Sequence, residues 1–472
     1  MNQLCRAAAM SNVANRTIFI RDNLEVMRGI NSASVDLIYL DPPFNSKRMF
    51  EAPIGSQAAG ASFKDAWTLD DVKEEWVTQI EDEHPALAHI ITAAGKAHSE
   101  GMQAYLTWMT VRLMEMQRLL KPTGSIYLHC DPTASHYLKA AMDAVFGAEN
   151  FRSEITWKRT TTHSDTKNWA AVNDIIFYYA NSATYLWNPQ YGEYDQQYIS
   201  TKYRYDDNDG RGLYTLDNMT SPNPRPNMMY EWQGHASPPK GWRYSQATMA
   251  QLDSEGRIWY PDSKERRPRL KRYLNEMPGR IQDTIWTDIA PVNSQAKERT
   301  GYPTQKPLAL LERIIKASSN QGDMVLDPFC GCATACIAAE RLGRQWVGID
   351  ISEKAYELVI DRMRREVSLG DEELPALFGT VTHRTDVPRR TDADAPRRSP
   401  NIKDLLYGIQ NGNCAGCEIA LPARLLELDH VIPRSKGGAD VDSNLQLLCG
   451  WCNRTKGARS NEYLRERLEQ VA

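Results

Sequence analysis

The tetrapeptide Asp41-Pro42-Pro43-Phe44 directly follows an apolar segment, Val35 to Leu40. An apolar run that stops at an acidic residue and two prolines predicts a buried strand whose carboxyl end opens into a rigid loop. Ligands bind at that end of the strands in an open α/β sheet. The Asp41 carboxylate and a proline carbonyl could accept the two hydrogens of an exocyclic amine on a nucleobase, and Phe44 could stack on a base flipped out of the duplex. On its own, the tetrapeptide more often marks an ordinary turn.

A second loop that could do chemistry is Asp327-Pro328-Phe329-Cys330-Gly331-Cys332, between a predicted strand and a predicted helix. The next predicted strand ends at Asp350. A small-residue loop at a helix start, with an acid about 20 residues on, can cradle a nucleoside cofactor and hold its ribose hydroxyls. The loop contains a single glycine, which disfavours NAD and favours S-adenosylmethionine. The alternative is an ordinary tight turn.

Two Cys-x-x-Cys pairs stand near the C-terminus, at Cys414 with Cys417 and at Cys449 with Cys452. This spacing predicts a tetrahedral zinc site of four thiolates. For a module this small, the metal would supply much of the folding energy.

The two loops resemble the β-class amino DNA methyltransferases, together with Gly301-Tyr302-Pro303-Thr304-Gln305-Lys306-Pro307 and Lys121-Pro122-Thr123-Gly124-Ser125-Ile126-Tyr127-Leu128-His129. The order of motifs along the chain is also that of the family. The resemblance extends over residues 15 to 366 and implies an S-adenosylmethionine-dependent enzyme with Asp41, Pro42, Pro43 and Phe44 as its catalytic motif. It implies cofactor contacts from Asp22, Thr304, Lys306, Asp327, Pro328, Phe329, Gly331, Cys332 and Asp350.

Four positions in these motifs or beside them carry an alternative or a further expectation. Asp22 would contact the cofactor adenine, although an aspartate there could equally cap a helix. Thr304 and Lys306 would face the methionine end of the cofactor. Ala333 stands where the family usually has a second glycine, and a left-handed backbone at that position would cost an alanine roughly 1–2 kcal/mol.

The segment Leu428-Asp429-His430-Val431-Ile432-Pro433, with Gly437-Gly438, Asn444 and Asn453, resembles an HNH nuclease of the ββα-metal type. The resemblance implies that His430 is the general base, that Asp429 and Asn453 hold Mg²⁺, and that Asn444 braces the loop. Oxygen ligands suit magnesium and thiolates suit zinc, so two different metals are implied. The alternative is a zinc-stabilised module that binds DNA without cutting it.

Predicted strands and helices alternate through the first part of the chain, which favours a doubly wound, Rossmann-like α/β sheet. We assign residues 14–366 to the methyltransferase, 367–403 to a linker and 404–472 to a zinc-stabilised ββα-metal module. The linker carries Pro388-Arg389-Arg390 and Pro396-Arg397-Arg398, which are expected to contact DNA phosphate. Residues 45–100 are expected to be polar and irregular. Aromatic and basic residues interleave over about 158–300, which favours an inserted target-recognition region. Its densest basic run comprises Lys264, Arg266, Arg267, Arg269, Lys271 and Arg272.

The composition indicates a soluble protein of two or three domains, with 472 residues of which 42% are hydrophobic and 25% charged. A net charge of −4 neither supports nor excludes binding to nucleic acid. The sequence shows no signal-peptide pattern and no membrane-length apolar run. The expected location is therefore the cytoplasm of a prokaryote, or of the host of a phage. Binding to DNA would place the protein at the nucleoid.

These patterns predict a bifunctional enzyme that acts on double-stranded DNA. A homodimer is one assembly that this enzyme is expected to form. An aspartate at the first motif position favours N6 of adenine over N4 of cytosine. Methyl transfer would be direct, so Cys330, Cys332 and Cys336 are expected to pack rather than react. Restriction and modification in one polypeptide is the expected role. A nuclease that cuts methylated DNA, a modification enzyme with a non-cutting zinc module, and an RNA methyltransferase are the alternatives.

Overall fold

The computed structural model describes residues 11–161, 169–367, 380–392, 402–434 and 444–470. The predicted phosphate-contacting segment Pro396-Arg397-Arg398 and the Gly437-Gly438 pair lie outside these ranges. The chain divides into two compact units. One comprises the residues up to Leu186 and from Asp288 onward, and the other is Trp187–Thr287.

The strands are β1 (Thr17–Ile20), β2 (Val35–Leu40), β3 (Arg48–Glu51), β4 (Ser62–Asp65), β5 (Leu120–Cys130), β6 (Phe151–Lys158), β7 (Asn173–Ala180), β8 (Tyr191–Gly192), β9 (Tyr214–Asn218), β10 (Ile258–Trp259), β11 (Arg269–Tyr273), β12 (Arg280–Ile281), β13 (Ile285–Trp286), β14 (Met324–Asp327), β15 (Gln345–Asp350), β16 (Thr382–Arg384), β17 (Leu426–His430) and β18 (Leu445–Cys449).

The α-helices are α1 (Asn23–Gly29), α2 (Glu74–Glu83), α3 (Pro85–Ala97), α4 (Glu100–Leu119), α5 (Pro132–Phe146), α6 (Gln196–Lys202), α7 (Gln246–Ser254), α8 (Leu308–Ser318), α9 (Thr334–Arg341), α10 (Glu353–Arg362), α11 (Ile402–Ile409), α12 (Gly450–Lys456) and α13 (Asn461–Glu469). A π-helical segment, Met363–Val367, continues α10.

The large sheet of the first unit follows the order β6-β7-β5-β2-β14-β15-β1-β16. Six neighbouring strands are parallel to one another, namely β5, β2, β14, β15, β1 and β16. Strand β7 is antiparallel to both β5 and β6. The predicted doubly wound α/β fold is confirmed. Because the parallel strands share a direction, the loops at their carboxyl ends lie at one edge of the sheet.

Residues 45–100 are more regular than the sequence suggested. β3 and β4 form an antiparallel hairpin, and helices α2 and α3 follow it. Trp76, Ile80, Leu87 and Ile91 from these helices are buried in the main core. The prediction of an irregular segment was wrong. Helix α2 is mostly polar and buries only Trp76 and Ile80, and α3 buries only Leu87, Ile91 and Ala94, so each helix has only a narrow buried stripe.

Part of the expected linker docks on the methyltransferase domain, and we call residues 380–392 the strap. Its strand β16 pairs in parallel with β1. Asn31 then holds Thr391 through two hydrogen bonds of 2.7 and 2.8 Å, and the Ser32 amide donates to Asp392 at 2.7 Å. Arg390, expected to face DNA phosphate, instead pairs with Asp392 at 2.7 Å. The strap is therefore an edge of the domain.

The second unit has its own small core of Met219, Trp242, Met249, Ile258 and Leu270, over the sheet β10-β11-β9. Acidic residues within this unit already neutralise two members of the predicted basic run. Lys271 pairs with Asp207, and Arg272 pairs with Asp217. The side chains of Arg266, Arg267 and Arg269 are exposed and have no carboxylate partner in the described chain.

Along the residues that the structure describes, no helix combines the length and apolar character that a membrane span needs.

The contact between α1 and the strap yields a prediction. A Cβ added at Gly29 would lie 2.1 Å from the Pro388 carbonyl oxygen, so we expect Gly29→Ala to displace the strap at a cost of about 1–3 kcal/mol. Limited proteolysis should then cut the strap faster than in the wild type. In the control Gly408→Ala the new Cβ meets nothing within 4 Å, and cutting of the strap should not change. Equal strap cleavage in Gly29→Ala and wild type would show that the strap does not depend on this contact.

Candidate active sites

Five neighbouring parallel strands of the large sheet each lead into an aspartate. In sheet order from β5 to β1 these are Asp131, Asp41, Asp327, Asp350 and Asp22. All five line one cavity of about 920 Å³. The sheet thus brings the two predicted loops together, although they lie far apart in sequence.

Asp41 is held by an ion pair at the mouth of its strand. Lys306 Nζ lies 2.6 Å from Asp41 Oδ2 and 5.3 Å from the centre of the Phe44 ring. The other carboxylate oxygen, Oδ1, is buried and has no hydrogen-bond partner among the described residues. Lys306 therefore orients the tetrapeptide, a contact that the sequence did not indicate, and leaves one acceptor open. Thr304, which also lines the cavity, has a left-handed backbone with φ of 63°.

Hydrogen bonds from the protein itself close the second predicted loop. The Gly331 and Ser352 amides donate to the two oxygens of Asp350, at 2.8 and 2.9 Å. The Phe329 amide donates to Asp327 at 3.1 Å, and Asn23 donates to the Pro328 carbonyl at 2.8 Å. Asp350, expected to hold a ribose, thus also fixes the loop that precedes α9.

Ala333 has the left-handed backbone that the sequence analysis considered, with φ of 56°. It caps α9 without a side-chain hydrogen bond. The neighbouring residues are held instead by the fully buried Arg362, which donates to the Cys332 carbonyl at 2.8 Å and to Thr334 Oγ1 at 2.9 Å. Both hydrogen bonds come from Arg362 Nη1 and hold the residues on either side of Ala333, where a left-handed backbone costs an alanine roughly 1–2 kcal/mol.

The middle of the aspartate row is electrostatically uncompensated. Burial, together with the charges of Asp41 and Asp350, raises the pKa of Asp327 to about 8. Burial also raises the pKa of Asp350. Neither carboxyl group has a cationic partner within the described chain, so a positively charged ligand would find complementary charge here.

Asp22 performs the helix-capping role that the sequence left open. It accepts hydrogen bonds from the Leu24 and Glu25 amides, at 2.9 and 3.4 Å, and so caps α1. Its second oxygen accepts from Arg112 at 2.7 Å. Arg112 is buried and lies 3.9 Å from the centre of a Trp108 ring. Asp22 still lines the cavity, so capping and ligand contact are compatible.

The three cysteines near the cofactor loop are buried, as expected of packing residues. Cys330, Cys332 and Cys336 are each at most 5% exposed. Burial raises the pKa of all three thiols, so they are protonated at neutral pH and are poor nucleophiles. Cys332 also lines the cavity.

The C-terminal module has a ββα arrangement of β17, β18 and α12. The side-chain sulfurs of Cys414, Cys417, Cys449 and Cys452 all lie within 4.8 Å of one another. The Cys449 and Gly416 amides donate to Cys414 Sγ at 3.1 and 3.4 Å, which stabilises a thiolate. Four sulfur donors in this geometry fit a tetrahedral zinc ion.

The residues of the nuclease resemblance lie on the same three elements. Asp429 and His430 end β17, and Asn453 is on α12. The fully buried Lys456 pairs with Asp429 at 2.9 Å and donates to the His430 carbonyl at 2.7 Å. Sequence reasoning missed this lysine, which anchors the strand end.

Two amide side chains complete this end of the module. The side-chain nitrogen of Asn453 donates to Glu427 at 2.6 Å, which leaves the side-chain oxygen of Asn453 available. Asn444 bonds both backbone groups of Ile432, at 2.8 and 3.0 Å, and so braces the segment after His430.

Comparison with known proteins gives two family matches. Residues 35–361 match the DNA methylase family, and residues 414–459 match the HNH endonuclease family. The chain is 35% identical over 262 residues to the Type II methyltransferase M.EcaI of Enterobacter cloacae, covering 55% of this chain and 57% of that protein. It is 27% identical over 352 residues to the Mod subunit of the Type III restriction-modification enzyme StyLTI of Salmonella typhimurium, covering 69% and 49%. The chain thus spans about half the length of the curated relatives it matches.

Among solved structures, the PvuII cytosine-N4-specific DNA methyltransferase matches with a TM-score of 0.35 and 13% identity. The match covers 77% of this chain and 92% of that one.

The cysteine cluster yields a prediction about the metal. A chelator such as 1,10-phenanthroline should unfold the C-terminal module because its core is small and the thiolates would repel one another without zinc. Circular dichroism and proteolysis should report loss of residues 402–470, while the methylase domain keeps its melting transition. The variant Cys449→Ser should lower the zinc content measured by elemental analysis, whereas Cys336→Ala should not. A module that remains protease-resistant and zinc-free would rule out this site.

Proposed function

Because the chain belongs to the DNA methylase family, we propose that it transfers a methyl group from S-adenosylmethionine to an exocyclic amine of a base in double-stranded DNA. The observation that carries this proposal is the open, buried Oδ1 of Asp41, in the cavity shared with the loop of Asp327 to Cys332. That acceptor is the group needed to bind an amine hydrogen. The proposed catalytic residues are Asp41, Pro42, Pro43 and Phe44.

Positioning is the main task that the protein's own residues perform. Lys306 fixes the Asp41 carboxylate through Oδ2, so that Oδ1 and a neighbouring proline carbonyl accept the two amine hydrogens. This makes the nitrogen lone pair more available for attack. Phe44 stacks on the flipped base and holds its plane. After transfer, the Asp41 carboxylate is the nearest group to accept the surplus proton.

The cofactor site is proposed from charge and shape. S-adenosylmethionine supplies a methyl group on a positively charged sulfonium. The uncompensated carboxyl groups of Asp327 and Asp350 suit a cation, and the cavity of about 920 Å³ has room for both cofactor and base. The remaining proposed contacts come from Asp22, Thr304, Lys306, Pro328, Phe329, Gly331 and Cys332.

For the base, we propose N6 of adenine, because the catalytic motif begins with aspartate, with N4 of cytosine as the alternative. The target-recognition region is proposed over about 158–300. Within it, the exposed and unneutralised Arg266, Arg267 and Arg269 are the best candidates for phosphate contacts.

We propose that the C-terminal module cuts DNA. His430 would act as the general base, while Asp429 and the free oxygen of Asn453 would hold Mg²⁺. The ion would neutralise charge that develops on the scissile phosphate. This proposed nuclease activity, together with the relatives of restriction-modification type, favours restriction and modification in one chain. A homodimer stays a prediction.

One plasmid experiment tests both activities. The full chain is incubated with unmethylated plasmid, Mg²⁺ and S-adenosylmethionine, and cuts and methylated bases are mapped. We expect Asp41→Asn to lower methylation by a factor of 100 or more without changing cleavage in the absence of cofactor. His430→Ala should abolish cleavage and leave methylation intact. Cleavage that survives His430→Ala, or methylation that survives Asp41→Asn, would contradict the corresponding assignment.

The raised pKa of Asp327 yields a pH prediction. In the free protein the carboxyl group is mostly protonated below pH 8, since its pKa is about 8. A cationic cofactor favours the ionised form, so binding should release a proton, and affinity should increase with pH from 6 to 8, by at most about tenfold per unit. Calorimetry in buffers of different ionisation enthalpy measures both quantities. Asp327→Asn should bind more weakly and without this pH dependence, and a flat profile in the wild type would refute the coupling.

A further inference from the structure

A buried polar network lies directly behind the catalytic tetrapeptide. His129 on β5 has its Nδ1 2.9 Å from the Tyr39 hydroxyl and its Nε2 3.0 Å from Asp174 Oδ2. The exposed fractions of His129, Tyr39 and Asp174 are 0, 2 and 1%. Satisfied networks in a low-dielectric interior specify a single arrangement, because any other leaves buried groups unpaired.

The hydrogen-bonding pattern assigns one tautomer to the imidazole ring. Burial and the charge of Lys306 lower the pKa of His129, so the ring is neutral at neutral pH. Burial favours a protonated Asp174, but the hydrogen bond with His129 and nearby cations still lower the pKa of that carboxyl group. An ionised carboxylate can only accept, so Nε2 carries the hydrogen and Nδ1 accepts from the Tyr39 hydroxyl.

This fixed ring contacts the tetrapeptide at Phe44 and the strand before it at Tyr39. Phe44 stacks on His129 with a centroid distance of 6.1 Å and an angle of 22°. Tyr39 lies two residues before Asp41, and alternate residues of a strand point to the same face. Trp157 packs edge-on against the His129 ring, with a centroid distance of 5.8 Å and an interplanar angle of 86°. His129 therefore contacts both ends of the segment that carries the catalytic groups.

We propose that His129 is a positioning residue for methyl transfer, held in one tautomer by Asp174 so that it supports the Phe44 ring and fixes the strand end before Asp41. The inference rests on the proposed methyltransferase function and deepens it. His129 does not touch the reacting atoms. It sets the plane of Phe44 and the location of Asp41 relative to the base, and small displacements of such groups slow a reaction without weakening binding.

Variants of the full chain can separate positioning from folding. His129→Phe keeps a flat ring under Phe44 but removes both hydrogen bonds, and Asp174→Asn keeps the shape but frees the tautomer. Tyr39→Phe is the mildest change, because it removes one hydroxyl. The matched control is Tyr179→Phe on β7, which removes a partly buried hydrogen bond of 2.7 Å to Asp143 on α5. Tyr179 is not among the residues that line the cavity.

The measurements are single-turnover transfer of labelled methyl groups to plasmid DNA, calorimetric affinity for S-adenosylmethionine, and the melting temperature. We expect transfer to slow at least about tenfold in His129→Phe and Asp174→Asn and about threefold in Tyr39→Phe, since displaced catalytic groups lose rate steeply. Cofactor affinity should stay within about twofold in each, which a general loss of structure would not allow. Tyr179→Phe should match the wild type.

The double variant His129→Phe with Asp174→Asn should be no slower than His129→Phe alone, because both changes act through one ring. Multiplied losses, or single variants within twofold of the wild-type rate, would overturn the inference. Should His129→Phe not fold, the same criteria apply to Tyr39→Phe and Asp174→Asn. A wild-type chain that transfers no methyl group would instead overturn the proposed function on which the inference rests.

Discussion

The methylase domain depends on one constraint, which is that parallel strands deliver their carboxyl ends to a single edge. Neighbouring strands lie about 4.8 Å apart, so an aspartate at the end of each places several carboxylates within strong Coulomb range. The row is neutralised unevenly. Lys306 compensates Asp41 and Arg112 compensates Asp22, while Asp131, Asp327 and Asp350 have no cation within the described chain. The neighbouring pair Asp327 and Asp350 therefore forms an uncompensated acidic centre between the two ion pairs.

The sequence was a good guide wherever local pattern decides the structure. Strand β2 has the bounds expected from its apolar run and β15 ends at Asp350 as expected, because buried parallel strands are largely apolar. The helices α2 and α3 were missed, since their polar residues outnumber the few that reach the core. The ion pair of Lys306 with Asp41 could not be predicted, because 265 positions separate its members and only the folded sheet brings them together. The strap was missed for a related reason. Its hydrogen bonds join it to residues about 360 positions away in the sequence, and such bonds produce no periodic pattern in the sequence.

The two enzymatic modules are stabilised in different ways. The methylase domain has an extensive core, so it can accommodate a strained alanine at the start of α9 and buried polar groups behind the tetrapeptide that begins at Asp41. The C-terminal module has a small core that includes two of its four cysteines, and its key strand end is tied by a single buried ammonium, that of Lys456. Its stability and its chemistry therefore rest on the same few residues, whereas in the methylase domain they are largely separate.

The position of β1 in the sheet has a consequence for how the chain is made. Thr17 pairs with Val347 on one side and Thr382 on the other, 330 and 365 positions later (347 − 17 and 382 − 17). At a synthesis rate of about 5–20 residues per second, roughly 20–70 s pass between the synthesis of β1 and the synthesis of its neighbours β15 and β16. The last strand of the sheet then emerges just ahead of the four cysteines of the C-terminal module. Translation therefore finishes the domain of the DNA methylase family before the module that matches the HNH family, and each new chain passes through a stage in which only the first is complete.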